Sequence, residues 1–327
     1  MPLSLRRGTV TAIEDEHEEL VRLRVDGTPC VAYPRLTGAV AVGDDVLVNE
    51  QARLLELGSG GFDVLYANLT RGLGLAPAPD AHVMTLPYTP MQQAVRHGEE
   101  DVELPRELDG MPVVCCTVHS QVVPVCAALG GLRVAYVQVG GGAVPVSLSD
   151  AVRALRARGL VGVSIASAPC VDADVQCVNV YSALAFARAG GVEITVCSVG
   201  PGVVGTATPL GHGGVAAAEA ANAASALGGR AVLAVRVSER DERDRHRGAS
   251  HHARTALELS RRDVTAAWPR GLDAPAWLEP RAEVDAQGWR EACADLPLSF
   301  MGRGADEEPR FFEAAYAAGL LARSLLG

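Results

Sequence analysis

Val192-Glu-Ile-Thr-Val-Cys-Ser-Val199, then Gly200-Pro-Gly-Val-Val-Gly-Thr-Ala-Thr-Pro-Leu-Gly-His-Gly-Gly214, then Val215 to Leu227, read as strand, glycine-rich loop and helix in succession. A short β-branched apolar run is the mark of a buried parallel strand. Six glycines in the fifteen residues that follow let backbone amides approach a ligand that side chains would block. A helix N-terminus behind such a loop adds partial positive charge, so the order makes an anion pocket. Gly200-Pro-Gly202-Val-Val-Gly205 also satisfies G-x-G-x-x-G, but nine residues separate Gly205 from Val215, whereas the dinucleotide fold opens its helix almost at once. A general anion or polar ligand is therefore favoured over a dinucleotide. The competing reading is a loop shaped only for close packing. Gly200, Gly202, Gly205, Thr206 and His212 are the candidate ligand-binding residues here.

The same alternation extends outward. Apolar strand-like runs recur at Pro112 to Val118, Arg133 to Val139, Val161 to Ala166 and Ala231 to Val237, each followed by a helix-like segment, with a sixth near Val264 to Trp268. This predicts an α/β fold: a mostly parallel, Rossmann-like sheet with flanking helices. Pro309 to Leu326 closes the chain as an amphipathic packing helix. Upstream, Gly8 to Ile13, Leu20 to Val25, Pro29 to Tyr33, Gly43 to Val48 and Asp63 to Tyr66 are short strands with a hairpin signal at Asp26-Gly27. They predict a small β-barrel or sandwich. The expected organisation is residues 1–75 as that barrel, 76–82 as a linker and 83–327 as the α/β domain.

Composition excludes several function classes. A net charge of -10 and a pI near 5.3 argue against nucleic acid, which calls for a basic face. No apolar run is long enough to span a membrane and no signal segment opens the chain, so a cytoplasmic protein with no membrane partner is expected. Eight cysteines without a C-x-x-C pair suit reduced thiols. All 29 basic residues are arginine, which excludes a pyridoxal phosphate Schiff base, a Walker lysine and any lysine nucleophile. A homo-oligomer is expected, with the barrel in a structural or dimerising role.

Polar residues of unusual type fall just after the predicted strands, along the carboxyl edge where parallel sheets bind ligands. They collect His119, Gln121, Cys170, Asp172, Asp174, His212, His246, His251 and His252. Ser250 is a plausible N-cap, which puts His251 and His252 in the first turn of a helix, where a neutral imidazole able to act as base or metal ligand is favoured. Cys170 follows a strand beside an expected helix start, a position that lowers a thiol pKa, although Asp172 and Asp174 would raise it. His119, His251 and His252, with an aspartate or Cys170, could hold zinc or iron, which makes a divalent metal ion a candidate where the cofactor is otherwise unknown. In the mixed-charge run Arg236 to Gly248, Arg245 or Arg247 could clamp a carboxylate or phosphate.

Six stretches together carry a resemblance: Tyr66-Ala-Asn-Leu-Thr-Arg-Gly-Leu-Gly74, His82 to Gln92, Val118-His-Ser-Gln121, Gly200 to Thr206, Arg245-His-Arg-Gly-Ala-Ser-His-His252 and Met301 to Glu307. By these, nearly the whole chain resembles bacterial domain-of-unknown-function family 3866. The resemblance implies an α/β protein with histidines and glycines in its motifs and supplies no reaction. It also implies a glycine-rich loop with an acidic pair after the third α/β strand, where this chain has Pro169-Cys-Val-Asp-Ala-Asp174 instead. The leading expectation is an enzyme acting on a small anionic metabolite, with Cys170 as nucleophile, His251 or His252 as base and Gly202 to Thr206 as anion cradle. The alternatives are a metal-dependent hydrolase or lyase using clustered histidines, a nucleotide- or metabolite-binding regulatory protein that turns nothing over, and autocatalytic cleavage at Ser167 or Cys170.

Overall fold

The computed structural model describes residues 3–56 and 60–326, and the chain forms two compact units, Met1–Ala81 and His82–Gly327. In the first, β1 (Leu5–Glu16), β2 (Val21–Val25), β3 (Thr28–Ala32), β4 (Asp45–Asn49) and β5 (Asp63–Asn68) close into a barrel in the order β1-β2-β3-β5-β4. Closure leaves no unpaired strand edge. Two single-turn helices, α1 (Pro34–Thr37) and α2 (Gln51–Leu54), lie on its connections. Period two decides what is inside: Val21, Leu23 and Val25 point into the core and Arg22 and Arg24 away from it. Asp26 and Gly27 take φ of 48° and 80°, the paired left-handed conformation of a type I′ hairpin turn.

The second unit begins with a hairpin of β6 (Val83–Thr85) and β7 (Gln93–Val95). Its body is a sheet of β8 (Pro112–Cys116), β9 (Val134–Val139), β10 (Val163–Ser167), β11 (Val175–Cys177), β12 (Ile194–Val199), β13 (Arg230–Ala234), β16 (Thr265–Pro269) and β17 (Arg281–Val284). A small ribbon of β14 (Val237–Ser238) and β15 (Gly248–Ala249) lies outside it. The order is β11-β10-β9-β12-β8-β13-β16-β17, and every pair is parallel. The helices are α3 (Val122–Ala128), α4 (Asp150–Ala157), α5 (Val180–Ala189), α6 (Ala216–Ala226), α7 (His251–Leu259), α8 (Trp289–Ala292) and α9 (Pro309–Ser324). Among the described residues no helix is long and apolar enough to cross a membrane.

Buried strands flanked on both faces are apolar throughout, and all six residues of β12 are buried. Val113 and Cys115 of β8 join the core under α5, α6 and α7, while Val114 and Cys116 join the core under α3, α4 and α9. The adjacent cysteines therefore face opposite ways and serve as packing. Seven buried alanines in α6 bring that helix close to the sheet.

Chain direction reverses inside this sheet. From β8 the chain crosses by α3 to β9 and on to β10 and β11; it then returns through α5 to β12, between β9 and β8, and proceeds by α6 to β13. The neighbouring carboxyl ends of β8 and β12 thus send their loops in opposite directions, which opens the crevice in which such sheets hold ligands. Two edge strands were not legible as strands. β11 has three residues, and Arg281-Ala-Glu-Val284 carries two charges in four. One consequence touches the expected site: β10 leads into β11, and the next helix starts only at Val180.

Candidate metal centre

The loop after β12 and the segment after β13 meet at the carboxyl edge and bring histidines together. His212 immediately precedes the 3-10 turn Gly213–Val215 that leads into α6, and its backbone forms an antiparallel bridge with Gly205. Ser250 caps α7 as expected, its Oγ accepting from the His252 amide at 3.2 Å. This cap fixes His251 and His252 in the first turn. The rings of His212 and His252 stack 4.0 Å apart at 12°, and His251 lies 5.2 Å from His212 and 4.5 Å from His252.

Each of the three offers a ring nitrogen, and these nitrogens all lie within 4.8 Å of one another. Nε2 of His251 and Nδ1 of His252 are buried without a hydrogen-bond partner, and neither nitrogen of His212 makes a hydrogen bond of normal geometry. Buried polar atoms left in this state each cost about 1 to 3 kcal/mol, so the cluster is expensive unless something binds there. A fourth ring, His246, stands 4.7 Å from His251 and 4.8 Å from His252, and is held by Ser250 Oγ 2.7 Å from its Nδ1.

Burial holds all four imidazoles neutral at pH 7. It is the leading cause in each case, lowering His246 to about 3, His251 to about 4 and His252 to about 2, and lowering His212 as well. Positive neighbours push in the same direction. Arg236 and Arg243 act on His246 and His251, and Arg245 acts on His251. Arg236 is itself buried, its guanidinium paired with Asp241 at 2.8 Å and lying 5.0 Å from the centre of the Phe300 ring. Arg243 bonds both oxygens of the same Asp241.

Residues 29–319 match the model of a family described as a protein of unknown function, DUF3866. The chain belongs to the DUF3866 family. No curated protein matches it.

Within this DUF3866 chain several expected site residues serve the fold instead. Cys170 lies between two strands, so the expected helix dipole is missing; it is fully buried, and burial pushes its thiol up to about 12. A group neither ionised nor reachable is no nucleophile, and Cys170 is corrected to a packing residue. Asp174 accepts from the amide and hydroxyl of Ser164 at 2.9 Å and pairs with Arg156 at 2.7 Å, bracing β10. Asp172, at φ 62°, is bonded to Ser147. The Oε1 of Gln121 accepts from the amides of Thr117 and Val118, while its Nε2 donates to the Ala234 carbonyl at 3.0 Å. It ties the end of β8 to β13.

His119 is likewise committed elsewhere. Its Nδ1 donates to the Val199 carbonyl at 3.1 Å, bridging the crevice between β8 and β12, and its Nε2 lies 2.6 Å from Ser149 Oγ. It does not join the metal group, in which His212 takes the place expected for it. The glycine loop is in part tied down. The amides of Val204, Thr206 and Gly213 donate to the carbonyls of Gly141, Gly211 and Val204, and the Thr206 hydroxyl donates to the Gly211 carbonyl at 3.2 Å. A Cβ on Gly200 would stand 2.1 Å from the Ala143 carbonyl oxygen. These glycines seal two loops together. Arg247 is paired with Asp244 at 3.2 Å.

All eight cysteines are buried and free. The native protein will therefore leave Cys170 and its fellows unmodified by a thiol reagent at pH 8, with eight equivalents reacting after unfolding. Rapid labelling of Cys170 in the native state, read by peptide mass spectrometry, would restore the nucleophile.

Proposed function

We propose that this DUF3866 protein is a metal-dependent enzyme, a hydrolase or lyase acting on a small anionic metabolite at the carboxyl edge of its parallel sheet. One observation carries the reading: His212, His251 and His252, whose rings carry buried nitrogens without good partners, each place a ring nitrogen within 4.8 Å of the others. Neutral imidazole is the form that ligates, and burial supplies it at pH 7 without displacing a proton. Three protein nitrogens around zinc leave a fourth position for water or substrate, the arrangement of catalytic rather than structural sites. Bound there, the metal would supply Lewis acidity and a water ionised near pH 7.

The chain's own residues do the rest. Tetrahedral bonds of about 2.1 Å set nitrogens roughly 3.4 Å apart, so ring rotation about χ1 and χ2 must draw the three together. The Ser250 cap fixes the backbone from which His251 and His252 reach, and the sealed glycine loop fixes His212. His246 packs over two of the rings and restricts their orientation.

Elemental mass spectrometry on untagged protein tests this. About one equivalent of zinc or iron is expected in the wild type, or after loading and desalting, and none in His212→Ala or in the double variant His251→Ala/His252→Ala. A wild type that holds no metal after loading, or a double variant that keeps a full equivalent, would sink the reading.

A further inference from the structure

In the glycine loop the amides of Val204, Thr206 and Gly213 already donate to carbonyls, and an uncommitted cation of the site stands instead beside the fourth histidine. Arg245 lies in the 3-10 turn Asp244–His246, one residue before His246, whose ring packs on both His251 and His252. Its neighbours are held in ion pairs: Arg236 and Arg243 converge on Asp241, and Arg247 pairs with Asp244. Arg245 is exposed and has no ion pair among the described residues. The guanidiniums of Arg236 and Arg243 act on His246 and His251 and that of Arg245 on His251, with Asp241 opposing them at His246. The N-terminus of α7 adds to the same side.

We propose that Arg245 binds the phosphate group of a phosphorylated small-molecule substrate, seating it next to the His212, His251 and His252 centre. The proposal rests on the metal reading for the position of the reacting atoms, but the anion site itself is made by the arginine. A dianion is favoured over a monocarboxylate because it meets the unpaired guanidinium of Arg245 and, once the centre is loaded, a divalent cation as well. Guanidinium binds phosphate by paired, charge-assisted hydrogen bonds, and such an arginine needs a free fork. Of the arginines acting on His251, Arg243 spends its fork on both oxygens of Asp241 and Arg236 is buried with one nitrogen on the same carboxylate, whereas Arg245 is exposed to incoming ligand.

The test is calorimetric titration of inorganic phosphate into desalted, zinc-loaded full-length protein and into the metal-free protein, for wild type, Arg245→Gln and Arg247→Gln. Phosphate affinity is expected to fall about tenfold in Arg245→Gln, consistent with one lost charge-assisted bond pair, with zinc content unchanged. Arg247→Gln, whose guanidinium is already paired, should change it less than about twofold. Equal affinity in wild type and Arg245→Gln, or no phosphate binding by wild type in either state, overturns the proposal. If zinc fails to load but the tenfold loss appears in the metal-free protein, the arginine stands and only the metal reading falls.

Discussion

Zinc added to the metal-stripped protein is expected to raise the melting temperature of the α/β unit by about 10 °C, and His252→Ala is expected to abolish that response. A ligand present at a thousand times its Kd stabilises by about 4 kcal/mol, and a unit of this size gains roughly 2 to 4 °C per kcal/mol. The source of the gain is local: one ring nitrogen from each of His212, His251 and His252, rings that carry buried nitrogens without good partners, acquires a partner in common. Differential scanning calorimetry with and without a chelator reads the effect. His119→Ala separates this site from the one expected from sequence. Its ring bonds Val199 and Ser149, so this variant should lower the starting melting temperature yet keep the zinc response. A response lost in His119→Ala and kept in His252→Ala would place the metal on the wrong histidines.

The contrast between His119 and His212 shows what a sequence discloses here. Strand positions were legible because a doubly covered parallel strand can be nothing but apolar, as in Ile194–Val199. Barrel strands showed through period two and through Asp26-Gly27. The carboxyl edge followed from the strands, so the right neighbourhood was reached. What could not be read is which way each polar side chain on that edge turns. His119 and His212 both lie in loops that follow a strand, and the close approach of the Gly140–Gly142 and Gly200–Gly214 loops goes with one set against a carbonyl and the other against His252. Cys170 misled for a related reason. Its reactivity depended on a helix directly behind it, and three residues pairing as β11 removed that helix. Arg245 and Arg247 were equivalent in sequence, and only the ion pair to Asp244 tells them apart.

Gly213→Ala should be the most damaging single-methyl change in the molecule's site. A Cβ at Gly213 would lie 1.8 Å from the Gly141 carbonyl oxygen, and one at Gly141 would lie 2.5 Å from the Gly213 carbonyl oxygen. Both partners are backbone, so no rotamer change relieves the clash, and the loops must separate. Overpacking a well-filled site typically costs 1 to 3 kcal/mol, and a rigid backbone contact puts this substitution at about 3 kcal/mol or more. The consequence for chemistry is larger than the loss of stability. Parting the loops displaces His212, the residue just before Gly213, from the rings of His251 and His252, so the folded variant should bind zinc at least tenfold more weakly. Gly304→Ala is the control, because a Cβ there meets nothing within 4 Å; it should leave the melting temperature within about 2 °C of wild type. Thermal unfolding and a competitive zinc titration on both variants decide the matter. A Gly213→Ala protein with wild-type melting and wild-type zinc affinity would mean that the loop contact does not hold His212 in place.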